Sequence, residues 1–250
     1  MRYLVRLKYN GSNFNGWQIQ PNAPSVQEVL EQNISMLLNT EIKVIGCGRT
    51  DTGVHANDFF LHFDYSKENI ETKKFKYQLD SVVSYPISII EIKLVSNDFH
   101  ARFSATSRQY KYFISLVKNP FNQNLWWVKQ PLNLESMKKA ADFIIDYKDF
   151  TSFSKLHTDV KNNLCEVSQV DLQQIGNDIV ITISANRFLR NMVRAIVGTL
   201  VEIGLGKKSP EDMRSIIESE DRSKAGASAP AKGLFLNQIV YPEDLIKEII

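Results

Sequence analysis

Apolar and polar residues alternate through residues 2–9, with Tyr3, Val5, Leu7 and Tyr9 on one side, the period of a half-buried β-strand. A polar loop with Gly11, Gly16, Pro21 and Pro24 follows. Ser25-Val26-Gln27-Glu28 then has the spacing of a capping box, in which Ser and Glu satisfy backbone donors at a helix start. Val26, Val29, Leu30, Ile34 and Leu37 recur at helical spacing behind it. Residues 42–48 and 58–64 predict two strands around a turn, 72–82 a helix and 87–95 a strand.

The same order then starts again. Residues 107–117 alternate through Tyr110, Tyr112, Ile114 and Leu116, and 133–146 read as a helix opened by Asn133. Residues 167–175 and 178–185 make a hairpin across Gly176-Asn177, and 190–203 form a strongly apolar helix. Ser209-Pro210-Glu211-Asp212 opens an additional helix, with Ser at the cap and Pro at the first helical position. Residues 234–241 close the chain as a strand. Two β-α-β-β-α-β units predict an α+β fold of two ferredoxin-like halves, with antiparallel sheets side by side and helices on one face of each. The uncovered face would form a central cleft for a substrate. The boundary falls near residues 97–106, giving an N-terminal half of 1–103 and a C-terminal half of 104–250. No residue-level repeat joins the halves, so this reading rests on element order.

The chain has 250 residues, 43% hydrophobic and 23% charged, which is ordinary globular composition and excludes disorder, collagen-like repeats and a disulfide-stapled miniprotein. No run approaches the ~18 apolar residues of a membrane span, and MRYLVRLKY lacks the unbroken apolar stretch of a signal peptide. Cys47 and Cys165 have no C-x-x-C spacing, which fits a reducing, cytoplasmic setting. Net charge is only +2, but the cations are grouped. Arg102, Arg108, Lys111, Lys118 and Lys129 lie in an acid-free stretch from His100 to Leu134. Arg187, Arg190 and Arg194 lie in a second, and Arg222, Lys224 and Lys232 in a third. Three such islands suit a polyanionic partner if the fold gathers them.

Familiar small-molecule motifs fail. Gly46-Cys47-Gly48 would need its third glycine at Asp51, and Gly206-Lys207-Lys208-Ser209 would need an earlier one at Val201. There is no G-x-S-x-G, and His55, His62, His100 and His157 show no helical zinc spacing. The most unusual stretch is Gly46-Cys47-Gly48-Arg49-Thr50-Asp51-Thr52-Gly53-Val54-His55-Ala56, a tight turn between strands. An Asp there can simply cap the turn. Held beside a cation such as Arg49, it can also stay ionised and act as nucleophile or base.

Gly48-Arg49-Thr50-Asp51-x-Gly53-Val54-His55-Ala56 resembles the signature of the tRNA pseudouridine synthase A family. Four further segments, in order, resemble the same family. They are Asn15-Gly16-Trp17-Gln18-x-Gln20-Pro21, then Phe99-His100-Ala101-Arg102-Phe103-Ser104-Ala105 with Tyr110-Lys111-Tyr112. Phe188-Leu189-Arg190-Asn191-Met192-Val193-Arg194 with Gly198 follows, and Ala229-Pro230-x-x-Gly233-Leu234 with Val240-Tyr241-Pro242 ends the series. The resemblance implies isomerisation of uridine to pseudouridine at positions 38, 39 and 40 of the tRNA anticodon stem-loop, without cofactor or metal. It implies Asp51 as the catalytic carboxylate and Arg194 as the arginine that pairs with it. Tyr110 would stack on the extruded uracil or relay the proton leaving C5, and Arg49 would fill the gap left by the flipped base or hold its phosphate. It also implies a homodimer with tRNA bridging the subunits.

One segment departs from the family pattern: Asn162-Asn163-Leu164-Cys165-Glu166 lacks the basic residue that many relatives carry there, leaving Lys155, His157 or Lys161 to serve instead. The competing readings are an RNA-binding module without catalysis, a small-molecule enzyme using Asp51, and a pseudouridine synthase acting on another RNA. The first lacks the RNP1 pattern and leaves the Arg49-Thr50-Asp51 turn unexplained, since a carboxylate repels phosphate. The second leaves the basic islands unexplained.

Overall fold

A computed structural model describes residues 1–21, 23–67, 69–83, 85–155 and 162–246. The chain divides into two compact units, Met1–Ser107 with Leu236–Ile250, and Arg108–Phe235. Both are mixed α+β.

The first unit runs β1 (Arg2–Tyr9), α1 (Val26–Leu38), β2 (Ile45–Gly46), β3 (His55–Asp64), α2 (Thr72–Val82) and β4 (Ile87–Val95). Its antiparallel sheet is ordered β4-β1-β3, with β2 also paired to β3. Tyr3, Val5 and Leu7 lie opposite Phe63, Leu61 and Phe59, and all six are buried. Phe75 of α2 meets Phe63 at 6.4 Å between ring centroids, so this is the face the helix covers. Ser25 caps α1 as its spacing predicts, its hydroxyl accepting from Glu28 N–H at 3.2 Å.

The expected strand over residues 42–48 shrinks to Ile45–Gly46, and the cause is local. Ile42 N–H donates to Ser35 Oγ at 2.8 Å and Val44 N–H to Glu31 Oε1 at 3.1 Å. Side chains of α1 therefore occupy donors that a strand ladder would have used. Glu31 is buried there, held also by Gln27 and Lys43.

The second unit runs β5 (Ser107–Ser115, its first residue in the other unit), β6 (Trp126–Trp127), α3 (Leu134–Asp142), β7 (Val167–Ile175), β8 (Asp178–Ala185), α4 (Met192–Gly204) and α5 (Asp212–Glu218). Its sheet order is β5-β8-β7, antiparallel, with β6 alongside β5. Asn133 caps α3, accepting from Ser136 N–H, but the last turn of the expected helix tightens to a 3₁₀ turn over Phe143–Asp146. Ser209 and Asp212 cap each other ahead of α5. One sheet face carries Tyr112, Ile114, Ile179, Ile181 and Ile183, all buried. The opposite face is polar, with Gln109 bonded to Ser184 and Ser184 to Gln169.

β9 (Leu234–Val240) follows a 3₁₀ turn at Ala231–Gly233, and α6 (Glu243–Ile246) follows β9. The stretch from Leu236 belongs to the first unit, where β9 lies beside β3 and Tyr241 donates to the Ala101 carbonyl at 2.6 Å. Among the described residues no helix is long and apolar enough to cross a membrane.

Candidate active site

Asp51 sits in a turn closed by Val54 N–H donating to the Asp51 carbonyl at 3.1 Å. The turn rests on the loop that precedes α1. Trp17 N–H donates to the Thr50 carbonyl at 3.2 Å, Gly53 N–H to the Phe14 carbonyl at 3.3 Å, and Gly11 N–H to His55 Nδ1 at 3.1 Å. Gly16 adopts φ +87°, and a Cβ there would lie 2.4 Å from the Thr50 carbonyl oxygen, so only glycine fits without displacing backbone. Beneath, the Thr50 hydroxyl bonds Tyr9 OH at 2.8 Å, and Trp17 stacks on Phe59 at 4.2 Å. Thr50 and His55 are buried while Arg49 is exposed and Asp51 half-buried. The result is a rigid seat that leaves two oppositely charged side chains at its rim, which suits chemistry on a substrate arriving from solvent.

Tyr110 and Arg194 lie in the second unit. Tyr110 pairs with Ile183 across the ladder and shares the side of β5 that carries Tyr112; its ring meets Phe188 edge-on at 5.2 Å. Arg194 lies in the first turn of α4, where it and Glu202 are the positions not buried. Arg194 Nε donates to the Ala229 carbonyl at 2.7 Å and Ala229 N–H donates back to the Arg194 carbonyl at 2.9 Å. The 225–230 segment can lie this close because Gly198 has no Cβ; one would fall 1.8 Å from the Ala227 oxygen. Asn191, in the left-handed region at φ +69°, ends the approach to the helix and donates to Ser228 Oγ at 2.7 Å. Tyr112 OH donates to the Pro230 carbonyl at 2.7 Å. Burial raises the Tyr112 pKa and the Arg194 charge opposes that rise, which places the guanidinium within electrostatic reach of this phenol.

Arg49 and Asp51 thus share one turn, and Tyr110 and Arg194 share the other unit. Of the seat residues, Phe14 was not named by sequence reasoning; Thr50 and His55 stand in the signature, Gly16 and Trp17 in a motif and Gly11 in the polar loop, but none was given a supporting role. Asn191, Ser228 and Ala229 were likewise missed as supports for Arg194. At the segment without its expected basic residue, Arg187 Nη1 lies 3.4 Å from Asn162 Oδ1, so a cation reaches it from the 186–190 turn. Burial pushes the neighbouring Cys165 thiol up to about 11. Lys155 is exposed; His157 and Lys161 lie outside the described residues. A shallow cavity lined by Gln109, Lys111, Gln169, Asp171 and Thr182 belongs to the polar face of the second unit and includes none of the four candidates. Among the described residues no three His, Cys, Asp or Glu side chains come together to hold a metal ion.

The family model described as tRNA pseudouridine synthase matches residues 7–104 and 147–242. The chain belongs to that family. Arg49, Asp51 and Arg194 fall inside the matched stretches, and Tyr110 falls between them. Among similar proteins, one named tRNA pseudouridine synthase A from Bacteroides fragilis is 48% identical over 248 residues, covering 98% of each chain. Another of that name from Bacteroides thetaiotaomicron is 49% identical, covering 99% of this chain and 93% of its own. A third, from a Thermoanaerobacter species, is 41% identical over 95% of this chain and 98% of its own. At these coverages the similarity to the relatives runs through the 105–146 interval as well.

Proposed function

We propose that this protein isomerises uridine to pseudouridine at positions 38, 39 and 40 of the tRNA anticodon stem-loop, acting in the cytoplasm as a homodimer. Full-length relatedness to tRNA pseudouridine synthases A, at nearly half identity, is the observation that carries the reading. The reaction breaks the C1′–N1 bond, turns the uracil and forms C1′–C5, while a proton leaves C5 and one is gained at N1. Atoms and oxidation state balance within one nucleotide, so no co-reactant is needed.

Asp51 is the proposed catalytic carboxylate. Attack on the sugar, attack on the ring and removal of a sugar proton all require it ionised and fixed, and the seated turn supplies the second condition. Arg194 is the proposed cation that pairs with it; at ~4 Å and intermediate dielectric such a pair is worth several kcal/mol of gross Coulomb energy before desolvation. Tyr110 is proposed to stack on the extruded base or take the C5 proton, and Arg49 to hold the place or the phosphate of the flipped nucleotide. Extrusion costs a few kcal/mol, which such contacts offset. We further propose that each unit is a ferredoxin-like half around an RNA-binding cleft. The β4-β1-β3-β2 pairing of the first unit supports this for that half.

The test is incubation of purified protein with an unmodified tRNA transcript carrying anticodon-stem uridines, with no nucleotide or metal added. Pseudouridine is mapped by carbodiimide-blocked reverse transcription, with Asp51→Ala alongside. Modification at 38–40 that the variant lacks is the expected result. Binding without modification would assign a non-catalytic RNA-binding role or another RNA substrate.

A further inference from the structure

The turn that leaves β4 presents an aromatic ring to solvent on an unusually well-anchored backbone. Phe103 is 75% exposed. His100 Nδ1 accepts from both Arg102 N–H at 3.1 Å and Phe103 N–H at 3.2 Å. Ser104 Oγ accepts from His100 N–H, and Ser104 N–H donates back to the His100 carbonyl, each at 2.9 Å. The turn is pinned to the sheet from below. Ala101 N–H donates to Nδ1 of buried His62 at 3.1 Å, Tyr241 OH reaches the Ala101 carbonyl, and Arg2 donates to the carbonyls of Asn97 and Phe99. The His100 ring lies 4.4 Å from that of Phe103, and the Arg102 guanidinium 5.5 Å from its centroid.

A singly exposed apolar residue needs no explanation, and many simply fold back onto a nearby surface. Phe103 touches the His100 ring yet keeps three-quarters of its surface exposed, with a cation beside it. From His100 no acid occurs before Glu135, and Asp98 at the start of the turn lies within electrostatic reach of the Arg2 guanidinium. An aromatic face beside a guanidinium matches one chemistry closely: a nucleobase that offers a π-face, with a phosphate on the far side of its ribose. Fixing the backbone beneath the ring reduces the ordering cost that a mobile loop would add on binding.

We propose that the 98–104 turn is a base-stacking platform for RNA, on which Phe103 stacks an unpaired nucleobase of the tRNA while Arg102 contacts its phosphate backbone. The inference rests on the tRNA reading above and adds a contact outside the four candidate residues.

The experiment measures equilibrium binding of an unmodified tRNA transcript to wild type, Phe103→Ala, Phe103→Tyr and Arg102→Gln, with modification followed separately and thermal midpoints and oligomeric state recorded for each. Phe103→Ala is expected to weaken binding about 5- to 100-fold at an unchanged thermal midpoint, and Phe103→Tyr to restore it. Arg102→Gln is expected to reduce the slope of log affinity against log salt by roughly 0.7 to 1. Binding by Phe103→Ala within twofold of wild type would overturn the platform and leave the catalytic reading intact. Phe103-dependent binding by a wild type that forms no pseudouridine would do the reverse. A change of oligomeric state with unchanged RNA affinity would overturn the platform and assign the turn to a contact between copies.

Discussion

Asp51 projects from a short turn seated on the 10–17 loop, whereas Arg194 projects from a thirteen-residue helix on which eleven positions are buried. The first is placed by backbone touching backbone, through Gly16 against Thr50 and the Trp17 and Phe14 hydrogen bonds. The second is placed by apolar burial, with the Ala229 carbonyl setting the guanidinium. The difference predicts different tolerances. A methyl group in the seat moves a carbonyl and the turn above it, while apolar exchanges within α4 are absorbed by side-chain rearrangement.

The strongest way to break this contrast is at the charges themselves. Asp51→Asn should abolish pseudouridine formation while leaving tRNA binding within about tenfold, because the change is nearly isosteric and removes only the charge; retained turnover would remove Asp51 from the chemistry. Arg194→Ala should lower single-turnover rates by roughly 100-fold and cost about 1 kcal/mol of stability through the lost Ala229 bond, and Arg194→Lys should recover stability better than rate. Full activity at unchanged stability in Arg194→Ala would show that the proposed pairing with Asp51 is wrong. Gly16→Ala should destabilise by about 1–3 kcal/mol and also slow turnover of the protein that remains folded, since its strain is delivered to Thr50. A purely thermal effect, with normal turnover per folded molecule, would mean that the seat does not govern Asp51.

Acid sensitivity should also separate the two units. Burial, aided by the Arg2 and His100 charges, lowers the pKa of His62 in the first unit from 6.5 to about 4. His62 Nδ1 accepts from Ala101 N–H, so the neutral ring carries its proton on the buried, unpartnered Nε2, and a second proton could enter only at Nδ1 with loss of the Ala101 bond. The unfolded imidazole takes up its proton near pH 6.5 while the folded one does not. Stability is therefore full above about pH 6.5 and is lost as pH falls towards about 4, by on the order of 3 kcal/mol. Denaturant titrations from pH 7 to 4 should show this loss, and His62→Gln should flatten it. The smallest effect is expected at Ile196→Val in α4, about 1 kcal/mol of stability with no change in turnover per folded molecule.

The periodic elements were legible because burial writes them directly: β1, α2, β4, β7 and β8 stand where alternation and helical spacing place them. Residues 42–44 were not, because their donors are taken by Ser35 and Glu31, polar residues with no periodic signature. Nor could α4 be started correctly from its apolar run; Asn191 takes a left-handed conformation that holds the helix back to Met192. In the candidate site, Arg49, Asp51, Tyr110 and Arg194 could be named from motifs. Their supports could not, since Gly11, Phe14 and Ala229 act through backbone groups that every residue possesses. Arg187 near Asn162 escaped for a related reason, as the contact joins positions 25 apart in the chain.

The return of residues from Leu236 to the first unit bears on how the protein is made. The hydrogen bond from Tyr241 to Ala101 joins residues 140 positions apart, and β9 can take its place beside β3 only after the intervening second unit has been made. At roughly 5–20 residues per second, a nascent chain waits about 7–28 s between emergence of the two partners. For that time β3 presents backbone donors and acceptors without their final strand, an open template for pairing with other chains. Strand β9 therefore acts as a timed closure, and the chain's exposure to misassembly is set by the ribosome's pace as much as by the stability of the finished fold.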